Sequence, residues 1–501
     1  MGAVAARADV SVLDHAAGFP SLAGKYRFTY EEVMLPGNES MGLLGGNYLL
    51  GRNEGSYLGL GIYGAVTGDR GGFFVGGVEA GYAYCWQWGW CADTGFYLGG
   101  GGGGAAPQGG GLMLRPHLEA RYASSLWGGL WGLGMSEIRF PNGDIQHRQF
   151  YLSFERAFQT LMLPGWHEPS VLGGFVPDSR QLQVAPRSVY IQAMNYLPSQ
   201  GQSGRSGKAL DDTINVLGIR WREHRGTRWS WDFETSGAFG GQVDGLAQVF
   251  AGGSTNWCRV EQLTCHVTAM LGSAGGGDVH TGGGILGRLM LGAEYALNKR
   301  WLGMVEVGQT SALHAPFNAM TLNLALGYRY HTLVPGLGEG FEWQRSGHWQ
   351  KNRIRAGQQS YFAPASRLRK QGQGGDQVDL LTLKLDSFLT TRVYVTGQAM
   401  GAYRGDAGGY AVGLIGAGWH QPWQNEYFME AELAAGAGGG GGLAVGSGAL
   451  VQPAISIGKR LNRQLSLAAG IAQVHAPEGE MSAQVLDISV NYRFSVPHLA
   501  P

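Results

Sequence analysis

The stretch "GFYLGGGGGGAAPQGGGLMLRPHLEARY", residues 95–122, has nine glycines within the thirteen residues 99–111. Such a run can cradle a phosphate, act as a flexible linker or belong to a β architecture. The residues after it favour the third choice, because polar side chains recur at every second position between apolar ones, as in a β-strand. The polar positions are Arg115, His117, Glu119 and Arg121.

The composition points to the same class of structure. The chain has 501 residues with 87 glycines, and only 15% of its residues are charged. Soluble domains usually have about 25% charged residues and about 7% glycine. The 37 basic and 37 acidic residues balance, which argues against a general nucleic-acid binder. No apolar run reaches the roughly 20 residues of a membrane helix, so we expect many short strands joined by tight turns.

The glycine-rich stretch recurs. Related segments occupy residues 270–295 and 433–460, and strand-like runs on either side recur with them. Counting the alternating runs gives about eight strands per copy and about 24 in total. We predict an N-terminal segment (1–24), three β repeats (25–159, 187–331 and 353–494), two linkers (160–186 and 332–352) and a tail (495–501).

The phosphate-loop interpretation fails in its details. "GLGIYG", residues 59–64, matches the spacing of a dinucleotide-binding loop, but it lies inside a strand pattern with no helix after it. We expect no cofactor and no nucleic-acid partner.

Four cysteines form two local pairs, Cys85 with Cys91 and Cys258 with Cys265. A disulfide in each pair would close a hairpin, and the spacing is not that of a zinc site. We therefore predict two disulfides, no metal and an oxidising compartment. Near the start, "ARA" at residues 6–8 is similar to a signal-peptide cleavage site.

The closing strand "LDISVNYRF" has apolar or aromatic residues at every second position up to Phe494, and Tyr295 and Trp301 flank the short turn "ALNKR". In these features the chain resembles Gram-negative outer-membrane β-barrel proteins as a broad class, although seven residues follow Phe494. The resemblance implies an antiparallel transmembrane β-barrel in the cell outer membrane. It also implies contact with outer-membrane lipids, the barrel-assembly machinery, and periplasmic or cell-surface proteins. We favour one barrel of about 24 strands over three tandem eight-stranded barrels.

Charged residues on the inward faces of the predicted strands are candidates for lining a lumen. Alternatively, they form a salt-bridge network that fills the barrel interior. These residues are Arg115, His117, Glu119, Arg121, Glu79, Glu155, Arg288 and Glu294.

The leading functional hypothesis is a non-enzymatic conduit for the export or passage of a polymer, a protein or solutes, because a barrel of about 24 strands encloses a wide lumen. One alternative is a cell-surface scaffold of tandem glycine-rich β units. Another is a lipid hydrolase at the outer rim, for which Ser136 and His147 are the nearest candidates.

Overall fold

The computed structural model describes residues 21–499 apart from 52–53, 87, 125–127, 168–181, 242, 244, 336–346, 371, 373–374 and 425. Nearly all of the predicted N-terminal segment, with its cleavage-site pattern, lies outside these residues. Much of the two predicted linkers does too. The described chain is all-β and antiparallel, with 25 strands and one short helix, α1 (Ala365–Leu368).

Barrel 1 is a closed eight-stranded unit in which the last strand pairs with the first, as in the register Phe28–Phe154. Its strands are β1 (Ser21–Leu35), β2 (Glu39–Leu50), β3 (Gly55–Thr67), β4 (Phe74–Cys85), β5 (Trp90–Gly102), β6 (Leu112–Ser124), β7 (Gly129–Arg139) and β8 (Gln146–Leu161). The two-residue strand β9 (Leu163–Pro164) follows it.

Barrel 2 closes in the same way, because β10 pairs with β17 in the register Ile191–Leu326. Its strands are β10 (Leu182–Pro198), β11 (Ile214–Arg225), β12 (Trp229–Gly240), β13 (Ala247–Val260), β14 (Leu263–Gly275), β15 (Ile285–Ala296), β16 (Trp301–Ala312) and β17 (Asn318–Pro335).

Barrel 3 closes between β18 and β25, in the register Gly357–Ser489. Its strands are β18 (Gly347–Phe362), β19 (Gln377–Phe388), β20 (Val393–Arg404), β21 (Ala411–Trp423), β22 (Tyr427–Gly439), β23 (Ala449–Arg460), β24 (Leu465–His475) and β25 (Ser482–Leu499).

These closures correct the preference for a single 24-stranded barrel. Sixteen registered pairs join β18 to β25, whereas one pair, His331–Leu499, joins barrel 2 to barrel 3. A strand has only two edges, and in each barrel the first and last strands use theirs mainly within the same barrel. Strand alternation is identical for both architectures, so the sequence pattern could not separate them.

The barrels lie side by side and point the same way. At the end where each barrel begins and finishes, which we call the turn end, β9 pairs with β25 at Pro164–Phe494. An apolar cluster joins the three barrels there, through Leu161 of barrel 1, Leu333 of barrel 2, and Trp349 and Leu499 of barrel 3. At the opposite end, which we call the loop end, the connections are longer, and the glycine-rich segments of neighbouring barrels meet.

The glycine contacts form a closed ring. In each barrel, the loop after the third strand meets the loop after the fifth strand of the next barrel. The Gly71 amide donates to the Gly282 carbonyl at 2.8 Å, and the Gly408 amide donates to the Gly109 carbonyl at 3.1 Å. A Cβ added to Gly245 would lie 2.6 Å from the Gly440 nitrogen. This head-to-tail arrangement closes after three units, so it produces a ring and not a filament.

Candidate functional site: the barrel interiors

The faces of the strands are inverted relative to a soluble protein. On β1, Tyr26, Phe28 and Tyr30 point outward and are 42%, 50% and 39% exposed. Lys25 and Arg27, between them, are at most 1% exposed. Because adjacent strand residues face opposite sides, the first strand alone establishes an apolar exterior and a charged interior.

The centre of barrel 1 is organised around Arg27. Its guanidinium donates to Glu79 at 2.8 Å, to Asp93 at 2.9 Å and to Glu155 at 3.0 Å. Arg121 contacts two of the same carboxylates, Asp93 at 2.8 Å and Glu155 at closer range. Two guanidinium groups therefore share three carboxylates with little access to water.

The remaining candidates of barrel 1 lie in the same interior. His117 Nε2 is 3.1 Å from Asp93 Oδ1. Arg115 donates to Glu31 at 2.8 Å. Glu119 accepts from the Tyr151 hydroxyl at 3.1 Å. The structure thus brings the six predicted residues of barrel 1 together in one buried network. They are Glu79, Arg115, His117, Glu119, Arg121 and Glu155.

Barrel 2 contains its own network on other strands. Arg220 donates to Glu306 at 2.8 Å and to Glu234 at 3.1 Å, and Arg288 also donates to Glu234, at 2.5 Å. Glu294 accepts from Arg329 at 3.2 Å. The two predicted residues, Arg288 and Glu294, are buried but do not contact each other directly.

Barrel 3 repeats the chemistry with Arg353 and Arg355. Arg353 donates to Asp386 at 2.7 Å and to Glu430 at 2.6 Å, and Arg355 donates to Asp386 at 2.8 Å. His420 Nδ1 is 2.7 Å from Glu430.

The central arginines of the three networks, Arg27, Arg220 and Arg353, were not among the residues predicted from the sequence. For barrel 1 the missing signal was "KYRFTYEEV" in β1, where Lys25, Arg27 and Glu31 alternate with aromatic residues. In barrels 2 and 3 the central arginines lie on β11 and β18, so aligning the copies on "LMLRPHLEARY" could not find them.

The interiors are filled at the level of the networks. Arg27, Arg220 and Arg353 are each at most 1% exposed, and so are their partners Glu155, Glu306 and Asp386. An open lumen would leave such side chains accessible to water. Towards the loop end of each barrel, an apolar cluster lies above the charged layer; in barrel 1 it includes Phe73, Met113 and Phe140.

The residues considered for a hydrolase do not form a nucleophile and base. The Ser136 hydroxyl donates to Glu31 and accepts from Gln149 at 2.9 Å, while His147 Nδ1 lies 3.0 Å from Gln149 Oε1. Both side chains therefore bond to Gln149 instead of to each other.

The disulfide prediction is confirmed: Cys85 pairs with Cys91, and Cys258 with Cys265. Both bonds close hairpins at the turn end. Within the described residues, no group of three or more His, Cys, Asp or Glu side chains is arranged to hold a metal ion.

No protein-family profile and no curated protein matches the chain. Several solved structures are similar to the chain. A mutant of the ferric enterobactin receptor PfeA of Pseudomonas aeruginosa, in complex with enterobactin, is 9% identical, with a TM-score of 0.27 over 95% of this chain and 82% of that one. The outer membrane protein opdK of the same organism is 11% identical, with a TM-score of 0.22 over 95% and 98% of the two chains.

The copper transporter OprC is 9% identical, with a TM-score of 0.26 over 95% of this chain and 80% of that one. These three solved structures are Gram-negative outer-membrane β-barrel proteins, described as a ferric enterobactin receptor, an outer membrane protein and a copper transporter.

Proposed function

We propose that this protein is a non-enzymatic structural protein of the Gram-negative outer membrane, in which three filled barrels form one lipid-embedded ring. The observation that carries the proposal is the pairing of an apolar exterior with a buried charged interior in every barrel. The apolar face turns outward, so it needs a lipid environment, because exposed apolar patches of this extent are rare on soluble proteins.

The strand lengths and the turn end support membrane embedding and indicate how the barrels are oriented in the membrane. Strands of 11 residues or more are long enough to cross a bilayer at the usual tilt. Every tryptophan that the structure describes lies in or near the turn end, including Trp88 (85% exposed), Trp257 (67%) and Trp229 (63%). Tryptophan favours the membrane–water interface, and outer-membrane barrels have short turns on the periplasmic side. The turn end therefore faces the periplasm in our proposal.

The conduit hypothesis has less support, because the described strands close into three separate barrels and each interior is filled at its charged layer. The glycine-rich loops support a scaffold role, since they hold three barrels at backbone contact.

Membrane fractionation followed by recording in planar bilayers tests the proposal. We expect the full chain in the outer-membrane fraction, heat-modifiable migration on gels, and no large steady conductance. A stable conductance of porin size would contradict the filled-barrel assignment and restore the conduit. Recovery as a soluble periplasmic protein would contradict membrane embedding.

A further inference from the structure

A groove of about 320 Å³ opens on the outer face of barrel 2 near the turn end. Its lining includes Trp229 and Trp231 on β12, Gly253 on β13 and Ala269 on β14. These residues meet in register, because Trp231 is opposite Gly253 and Gly253 is opposite Ala269. The groove exists because a glycine and an alanine lie beside two large indoles that are 63% and 61% exposed.

One exposed cation, Arg228, adjoins this groove in the sequence. Arg228 immediately precedes Trp229, and its carbonyl accepts a hydrogen bond from the Asn256 amide at 2.8 Å, which fixes the turn against β13. Its side chain is exposed, and no described carboxylate lies within ion-pair distance of it. The neighbouring Arg225, by contrast, is 2.8 Å from Glu223.

At the turn end of barrels 2 and 3, exposed basic residues outnumber the exposed acidic residues Glu261 and Glu426. The exposed basic residues include Arg259, Lys299, Arg300, Arg392 and Arg463. An apolar groove next to an exposed arginine matches a molecule with a hydrocarbon chain and an anionic head, and guanidinium is well suited to phosphate. Cations near a membrane surface attract anionic lipids.

We infer that this groove is a binding site for an anionic glycerophospholipid of the periplasmic leaflet. The acyl chain lies between Trp229 and Trp231 over Gly253, and the phosphate is bound by Arg228. The inference rests on the proposed membrane embedding and deepens it by naming one lipid class and one site.

Native mass spectrometry of the detergent-extracted full chain tests the site, with phosphatidylglycerol and phosphatidylcholine as the two probes. We expect phosphatidylglycerol to bind more tightly. Replacing Arg228→Gln removes one interfacial cation and raises the Kd for phosphatidylglycerol about fivefold, with little change for phosphatidylcholine. Replacing Gly253→Leu fills the groove and weakens the binding of both lipids.

Two matched variants serve as controls. Gly303→Leu adds the same side chain to the outer face of β16, where an added Cβ meets nothing within 4 Å. Arg148→Gln removes an exposed arginine at the loop end. Neither should change lipid binding, and heat-modifiable migration shows whether each variant is folded.

The outcomes separate the two proposals. Failure to recover the wild-type chain from membranes would overturn the embedding. A membrane-extracted protein that binds both lipids equally, or whose phosphatidylglycerol affinity is unchanged in Arg228→Gln, would overturn the lipid site alone. A protein that retains no phospholipid in this groove would also overturn the lipid site. We would expect that result if the groove binds a protein partner instead.

Discussion

At the scale of single residues, the barrel interiors show how charge can be buried when it is fully paired. Arg27 is 1% exposed and contacts three carboxylates that would otherwise repel one another. Removing one member of a buried ion pair is costly because the remaining charges lose their compensation.

We therefore expect Arg27→Met to lower the free energy of unfolding by about 3–5 kcal/mol. Urea unfolding of the protein in lipid vesicles, followed by the loss of heat-modifiable migration, measures the change. The matched variant Arg148→Met removes an arginine whose side chain is 75% exposed and should cost less than about 1 kcal/mol. Equal effects of the two variants would show that the interior network does not stabilise barrel 1.

At the scale of elements, strands and loops from different barrels approach to backbone contact where glycine is present. Gly401 on β20 faces Gly100 of barrel 1, and an added Cβ would lie 2.5 Å from the Gly100 carbonyl oxygen. Gly397, four residues earlier and on the same outer face of β20, has nothing within 4 Å of an added Cβ.

Gly401→Val should thus lower stability by about 1–3 kcal/mol, because the barrels must separate to admit the side chain. Gly397→Val meets open space and should stay within about 0.5 kcal/mol of the wild type. The same unfolding assay compares them. If the two valine variants proved equally stable, the contact between barrels 1 and 3 would not contribute to stability.

At the scale of the whole molecule, the three closures predict that one third of the chain is a complete barrel. Each of the eight strands of barrel 1 pairs along both of its edges with strands that lie within residues 21–161. A fragment of residues 21–166 should consequently fold in detergent into a heat-modifiable barrel. One third of a single 24-stranded barrel could not close, so a fragment that fails to fold, while the full chain folds, would contradict the closure.

Much of the interior was visible in the sequence, but its centre was not. Alternation along β6 places Arg115, His117, Glu119 and Arg121 on one face, and alternation depends only on neighbouring residues. The pairing of Arg27 with Glu155 joins positions 128 residues apart, so it depends on barrel closure. Periodicity contains no information about which strands are neighbours across that distance.

By itself the sequence determined the fold class, the strand alternation, the polarity of the two faces and the two local disulfides. All of these follow from residues close together in the chain, through strand geometry and side-chain chemistry. The tertiary structure alone decided that there are three barrels instead of one, and that the glycine runs are contact surfaces between them. The reason is that both features depend on which strand edges pair and on how closely distant backbones approach, as where Gly408 bonds to Gly109.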